Sequence, residues 1–296
     1  DLAAGNDVLS VTSISATHTL AGGDGIDSLV AGTSITAATG ANISGFEVVS
    51  AGAVTVVLPA ATNTIGTVSF TGTGGSVAGV ATGATVSQAA TGTNTVKNTT
   101  GWTGTTDALS VSVGSATSTG AITQALTATG IETATITNSQ LSTDTTARSV
   151  GVTSANLTKM TVASSGTAQI TVTGGGVALT EIDASGVGGI VVNSATMATA
   201  GFKLTTGAGA DTLTGAAGAD TLIAGAGIDT LTGGLGIDNL TGGAGADTFV
   251  YASNVAGAVV SSLAAPDVIT DFTSGTDKLQ IAQTLTAFTG NFATVA

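Results

Sequence analysis

Five aspartates, Asp211, Asp220, Asp229, Asp238 and Asp247, recur every nine residues without a gap. Their units read TGAGADTLT, GAAGADTLI, AGAGIDTLT, GGLGIDNLT and GGAGADTFV. Position four is always glycine, and position eight is always large and apolar (Leu213, Leu222, Leu231, Leu240, Phe249). So short and strict a period leaves few ways to fold. The glycine-rich half permits positive φ and lets carbonyl oxygens crowd toward one point. The second half is a β triplet whose middle residue points inward. One unit cannot bury its leucine alone, so units must stack. Two units make one coil, which places turns eighteen residues apart on the same edge: Asp211 with Asp229, Asp220 with Asp238, and Asp229 with Asp247.

A groove between two such turns collects backbone carbonyls and a carboxylate from each. Hard oxygen ligands on a pliable backbone suit Ca²⁺, whereas Mg²⁺ holds its waters more tightly. The candidate ligands are Gly207, Gly209, Asp211, Gly218, Asp220, Gly225, Gly227, Asp229, Gly234, Gly236, Asp238, Gly243, Gly245 and Asp247. An earlier copy, GGDGIDSLV at 22–30, follows a partial one, AGNDVL at 4–9, and adds Asp7, Gly23, Asp24, Gly25 and Asp27. Asp7 and Asp27 are twenty residues apart, which still permits stacking on one edge. One ion at most is expected there, against about three in the later run. Thr206 and Ala224 replace a first glycine and Ala216 a second. A side chain in a left-handed conformation costs roughly 1 kcal/mol, so those turns are expected to be adjusted.

The nonapeptide GGxGxDxLx resembles the repeat of the RTX family, over residues 206–250 and 22–30. That resemblance implies a calcium-binding parallel β-roll, folding driven by several Ca²⁺ ions, and export by a type I system. The following stretch, DVITDFTSGTDKLQI (267–281), is similar to the strand that closes such rolls and reads as a hairpin capping the open end. Asp267 and Asp271 either lend carboxylates to a last ion or stand as solvated edge charges.

Residues 31–205 alternate small polar with β-branched residues, as in AVTVVLP (53–59), ALSVSVGS (108–115) and AQITVTG (168–174). Period two with Thr and Val is strand chemistry. Met160 and Ile182 are 22 apart, the length of one coil. The best helix candidate is ITQALTATG (122–130), and it is short. The expected fold is all-β: parallel β-roll or β-solenoid segments at 1–30 and 206–250, an elongated repetitive β region at 31–205, and capping strands at 251–296.

Composition narrows the function classes. The net charge is −13, with only Lys97, Arg148, Lys159, Lys203 and Lys278 basic. No basic stripe exists for phosphates, which argues against nucleic-acid binding. Twelve of the eighteen acids lie before residue 28 or after residue 210, and clustered carboxylates without basic partners call for cations. There is no cysteine, hence no disulfide, thiolate metal site or cysteine nucleophile. No run of eighteen apolar residues suggests a membrane span. The opening on Asp1 rather than Met is expected of a fragment or a processed product.

No catalytic constellation is legible, and no enzyme is expected. His18 is the single histidine and reads as an exposed strand residue. H-E-x-x-H and G-x-S-x-G are both absent. Glu47, Glu132 and Glu181 stand isolated, and Trp102 and Tyr251 read as packing or turn residues. The low-charge Thr/Ala/Val/Gly composition, taken with the RTX units, looks like that of Gram-negative S-layer proteins. This second resemblance implies self-assembly into a lattice on the cell surface, with attachment to outer-membrane lipopolysaccharide through a region not in this chain. The alternative is a calcium-binding RTX segment of a secreted adhesin, toxin or enzyme.

Overall fold

The computed structural model describes residues 2–59, 63–88, 92–97, 107–113, 122–128, 130–138, 148–164, 170–174, 178–193, 201–252 and 266–282. Almost all of the regular structure is β. From Val48 onward successive strands alternate between two sheets, one of 13 strands and one of 11, and every pairing in both is parallel. A chain that alternates between two parallel sheets winds as a solenoid. At about 4.8 Å per strand, the larger sheet extends roughly 60 Å along the stack. A small two-stranded sheet, Leu20–Ala21 with Ile43–Ser44, closes a third side near the start.

The core is a set of columns running along this axis. In the larger sheet Leu29, Val49, Val68, Val86, Val111, Ile136 and Val162 lie in register, all buried. Ala134, Met160, Ile182, Leu204, Leu222 and Leu240 form the next column. Across the core, Val192, Leu213, Leu231 and Phe249 line the other sheet. A slip of one residue would turn a whole column outward, so register is strongly specified. The 22-residue step from Met160 to Ile182 is one coil. The larger sheet crosses residues 30/31 and 205/206 without a break, and the smaller sheet crosses 205/206.

Three local expectations change. Ile122–Ala128 is a strand, paired in parallel on both sides, with Leu126 and Ala128 buried. Neighbouring strands there override the helical character of Gln, Ala and Leu. The 267–281 segment is no hairpin: Val268–Ile269 joins the larger sheet and Lys278–Ala282 the smaller, each in parallel with the preceding coil. It is one more coil, rounded through Gly275 at φ +87°. His18 lies outside any strand, exposed, its Nδ1 accepting the Ser15 N–H at 3.0 Å. A one-turn helix, Ala37–Gly40, has Thr36 as its N-cap and no helical period in its sequence. No helix among the described residues is long and apolar enough to cross a membrane. Trp102 and much of 251–296 lie outside the described residues.

Candidate metal sites on the turn ladders

The two edges of the coils carry the acids. On one edge the N–H of Asp211 donates to Asp229 Oδ1 (2.8 Å), that of Asp229 to Asp247 Oδ1 (3.0 Å), and that of Asp247 to Asp277 Oδ1 (3.0 Å). On the other, Asp220 donates to Asp238 (2.8 Å) and Asp238 to Asp267 (3.0 Å). Each carboxylate is thus fixed by the main chain of the coil before it. Ile190 and Phe202 supply the first N–H of each ladder, to Asp211 and Asp220. A shorter ladder stands near the start, from Asp7 N–H to Asp27 Oδ1 (2.9 Å) and from Asp27 N–H to Glu47 Oε2 (2.9 Å). Glu132 plays the same part for the Asp107 N–H (2.8 Å).

One oxygen of each ladder aspartate but Asp7, which only donates its N–H, is therefore spoken for, and the other decides the chemistry. At Asp7, Asp27, Asp211, Asp229 and Asp238 the Oδ2 atom is buried without a hydrogen-bond partner. Asp27, Asp229 and Asp238 have no solvent exposure at all. An uncompensated buried charge is costly, and the group responds by taking up a proton or a cation. Burial pushes Asp220, Asp229 and Asp267 up to about 6, and raises Asp211, Asp238 and Asp247 in the same direction. Backbone N–H donors oppose that rise, while neighbouring aspartates add to it at Asp229. At neutral pH Asp220, Asp229 and Asp267, at about 6, are largely carboxylates. No basic side chain reaches the five unpartnered Oδ2 atoms among the described residues; the ion pair there joins Lys159 to Glu181 (3.1 Å), half-exposed on a sheet face.

Turn backbone supplies the rest of the donor set. Gly234 and Gly236 adopt φ +108° and +135°, and a Cβ on either would collide with the carbonyl oxygen of Ala216 or Gly218 one coil below. Gly225, Gly227, Gly243, Gly245, Gly23, Gly25 and Gly209 share the positive φ and a comparable close approach. Successive turns thus pack main chain against main chain, each glycine over a carbonyl or amide of the neighbouring turn. Nowhere among the described residues do three His, Cys, Asp or Glu side chains gather, so the donor set is two carboxylates at most plus carbonyls. Hard oxygens, a cradle that a Cβ would fill and a buried oxygen without a partner together fit Ca²⁺. Bound there, Ca²⁺ would neutralise the buried carboxylates. The protein's part is to hold Asp Oδ1 on the preceding main chain and keep Oδ2 dry.

The first glycine of the unit is a site residue that the motif alone does not reveal. A Cβ on Gly233 or Gly242 would run into the Oδ2 of Asp238 or Asp247 in the same turn, and one on Gly22 would lie 2.7 Å from Asp27 Oδ2. Glycine there makes room for the carboxylate rather than for an unusual φ.

Several candidates stand differently. In the Gly215–Asp220 turn neither Ala216 nor Gly218 has a positive φ, and the Ala216 N–H donates to Asp220 Oδ2 (2.7 Å). That turn closes on its own carboxylate, the adjustment expected where alanine replaces glycine. Gly207 is likewise without a positive φ. Asp271 accepts the N–H groups of Gly242 (3.0 Å) and Gly243 (2.6 Å), one on each oxygen, and clamps the last glycine turn. Asp24 is exposed, its carbonyl taking the Gly5 N–H. Glu47, Glu132 and Glu181 are not isolated: the first two accept main-chain N–H groups of a neighbouring coil and the third pairs with Lys159, because parallel stacking brings distant acids over one another, and Asp277 joins a ladder as well. The equal steps Asp7, Asp27 and Glu47, twenty residues each, and the D-x-L of Asp277 to Leu279 were the available signals.

Residues 172–295 match the family model of the Peptidase M10 serralysin C-terminal domain. That domain is a calcium-binding RTX-type β-roll region of secreted proteins, and the parallel solenoid agrees with it. The match takes in the ladders of Asp211 to Asp277 and none of the first 171 residues. It concerns the non-catalytic end of a peptidase family and carries nothing about enzymatic activity. Comparisons with curated proteins and with solved structures return no match.

Proposed function

We propose that this chain is a structural, calcium-dependent surface-layer protein, exported by a type I system and assembling with copies of itself into a lattice outside the cell. The observation that supports the reading best is the long unbroken stack with hydroxyl-lined, nearly chargeless faces. Ser50, Ser69, Ser87, Ser112 and Thr137 form one outward row in register. Flat faces of this kind pack against their own copies with little charge repulsion, since most of the acids lie on the edges and the face row Lys159, Glu181 and Lys203 alternates in sign.

Calcium is the switch in this reading. The carbonyl cradle exists only in the folded coil, so ion binding adds directly to folding free energy. Affinities of about 10⁻⁵ to 10⁻³ M leave the acid ladders unliganded where calcium is scarce and fill them where it is millimolar. Electron microscopy of the purified chain with and without chelator tests the proposal. Two-dimensional ordered arrays that form with Ca²⁺ and dissolve in EDTA are the expected result. A soluble monomer at high protein and calcium concentration overturns the lattice and favours a calcium-binding segment of a longer secreted protein.

A further inference from the structure

We infer that metal dependence in this chain is segmental: the coils between Phe46 and Phe202 close their edges with their own side chains, and only the acid ladders on either side require cations. The inference rests on the calcium reading above. Both borders carry Gly-Phe followed by a charged residue, Gly45-Phe46-Glu47 and Gly201-Phe202-Lys203. In both, a phenylalanine is buried at the turn, directly next to an aspartate ladder. Phe202 donates its N–H to Asp220, the first acid of one ladder, and Glu47 accepts from Asp27, the last aspartate of the other. Where an RTX-type turn exposes a residue such as Ile26, these turns fold a ring into the core.

Between the borders the edge chemistry is mostly neutral, with Asp107 and Glu132 as the acidic pair of a single step. Asn63 takes the Phe46 N–H on Oδ1 (3.1 Å) and donates Nδ2 to the carbonyls of Ile43 (2.8 Å) and Pro59 (3.2 Å). Asn94 takes the Gly75 N–H (2.8 Å) and donates to the Gly72 carbonyl (3.2 Å). An amide has a carboxylate's shape, but its NH₂ donates to turn carbonyls where an aspartate leaves a buried oxygen without a partner. Further along, the hydroxyl of Thr158 donates to the Glu132 carbonyl and that of Thr180 to the Thr158 carbonyl (3.0 Å each), and Ser154 donates to the Ile131 carbonyl (3.0 Å). Buried carboxylate oxygens without partners occur, among the described residues, only at Asp7, Asp27, Asp211, Asp229 and Asp238, all outside this interval. Parallel coils interact chiefly with their neighbours, so a stack of this kind can be ordered in one stretch and open in another.

Hydrogen–deuterium exchange of the full chain in millimolar calcium and in EDTA tests the inference. In EDTA, peptides from 206–250 and 2–30 are expected to exchange at least about tenfold faster, while those from 65–88 and 148–164 change by less than about twofold. If 65–88 and 148–164 lose protection together with 206–250, segmental dependence is wrong and the calcium reading stands. If 206–250 exchanges alike in both buffers, the calcium reading fails and the inference falls with it.

Discussion

Asp229 holds its carboxylate against the main chain of Asp211, N–H to Oδ1 at 2.8 Å, while its second oxygen stays buried and unpartnered. One side chain thus does two jobs: it ties adjacent coils together and offers a charge between them. The expectations below follow from that division.

Asp229→Asn keeps the oxygen that accepts from Asp211 and removes the charge. Its calcium midpoint, followed by circular dichroism, should rise by about tenfold, the equivalent of 1.4 kcal/mol. Asp107→Asn, on the ladder position of the central coils, should leave the midpoint within about twofold. Equal shifts in the two variants would remove the ligand assignment.

Acid should act in opposite directions with and without metal. Folded-state values raised to about 6 at Asp220, Asp229 and Asp267, against an ordinary 3.8, mean that the metal-free ladder binds protons more tightly than the unfolded chain. In EDTA that contribution is fully present below about pH 4 and is lost as pH rises through about 6. With saturating calcium the ligands must be ionised, so stability instead falls as pH drops below about 6. Thermal melts of the two forms between pH 4 and 7 should therefore slope oppositely; parallel slopes would contradict the buried-carboxylate account.

Gly233→Ala places a methyl where Asp238 Oδ2 sits. A loss of about 1–3 kcal/mol in chemical denaturation is expected, with weakened calcium binding. Gly186→Ala meets open space at an exposed turn without a positive φ and should stay within about 0.5 kcal/mol. Similar behaviour of the two would show that the first glycine serves only the backbone.

Phe46→Ala removes a fully buried ring from the border turn. A cost of about 3–5 kcal/mol is expected, the range for emptying an aromatic site. The loss should be of similar size in calcium and in EDTA if the ring closes a metal-independent coil. A destabilisation that calcium abolishes would place Phe46 on the metal-dependent side of the border.

Where the sequence repeats strictly, the geometry was legible. Nine-residue spacing located the stacks of Asp211, Asp229 and Asp247, and the 22-residue step found the Met160–Ile182 register, because a coil of fixed length puts like residues in one column. Coil length changes elsewhere, from 18 residues between Leu222 and Leu240 to 32 between Gly92 and Gln124. A lone acid such as Glu132 then gives no sign in the sequence that it sits over Asp107. Strand direction was also hidden, since alternation at 267–281 is the same for a hairpin and for another parallel coil. The space Gly233 leaves for Asp238 depends on the fold of the turn rather than on the motif.

The columns keep their register whether a coil takes 18 residues or 32. Lengthening a connection costs only a logarithm of its size. Edge segments can therefore grow, shrink or diverge while the sheets remain undisturbed, which makes the flanks of this rod a permissive place for new sequence and its inward residues a conservative one.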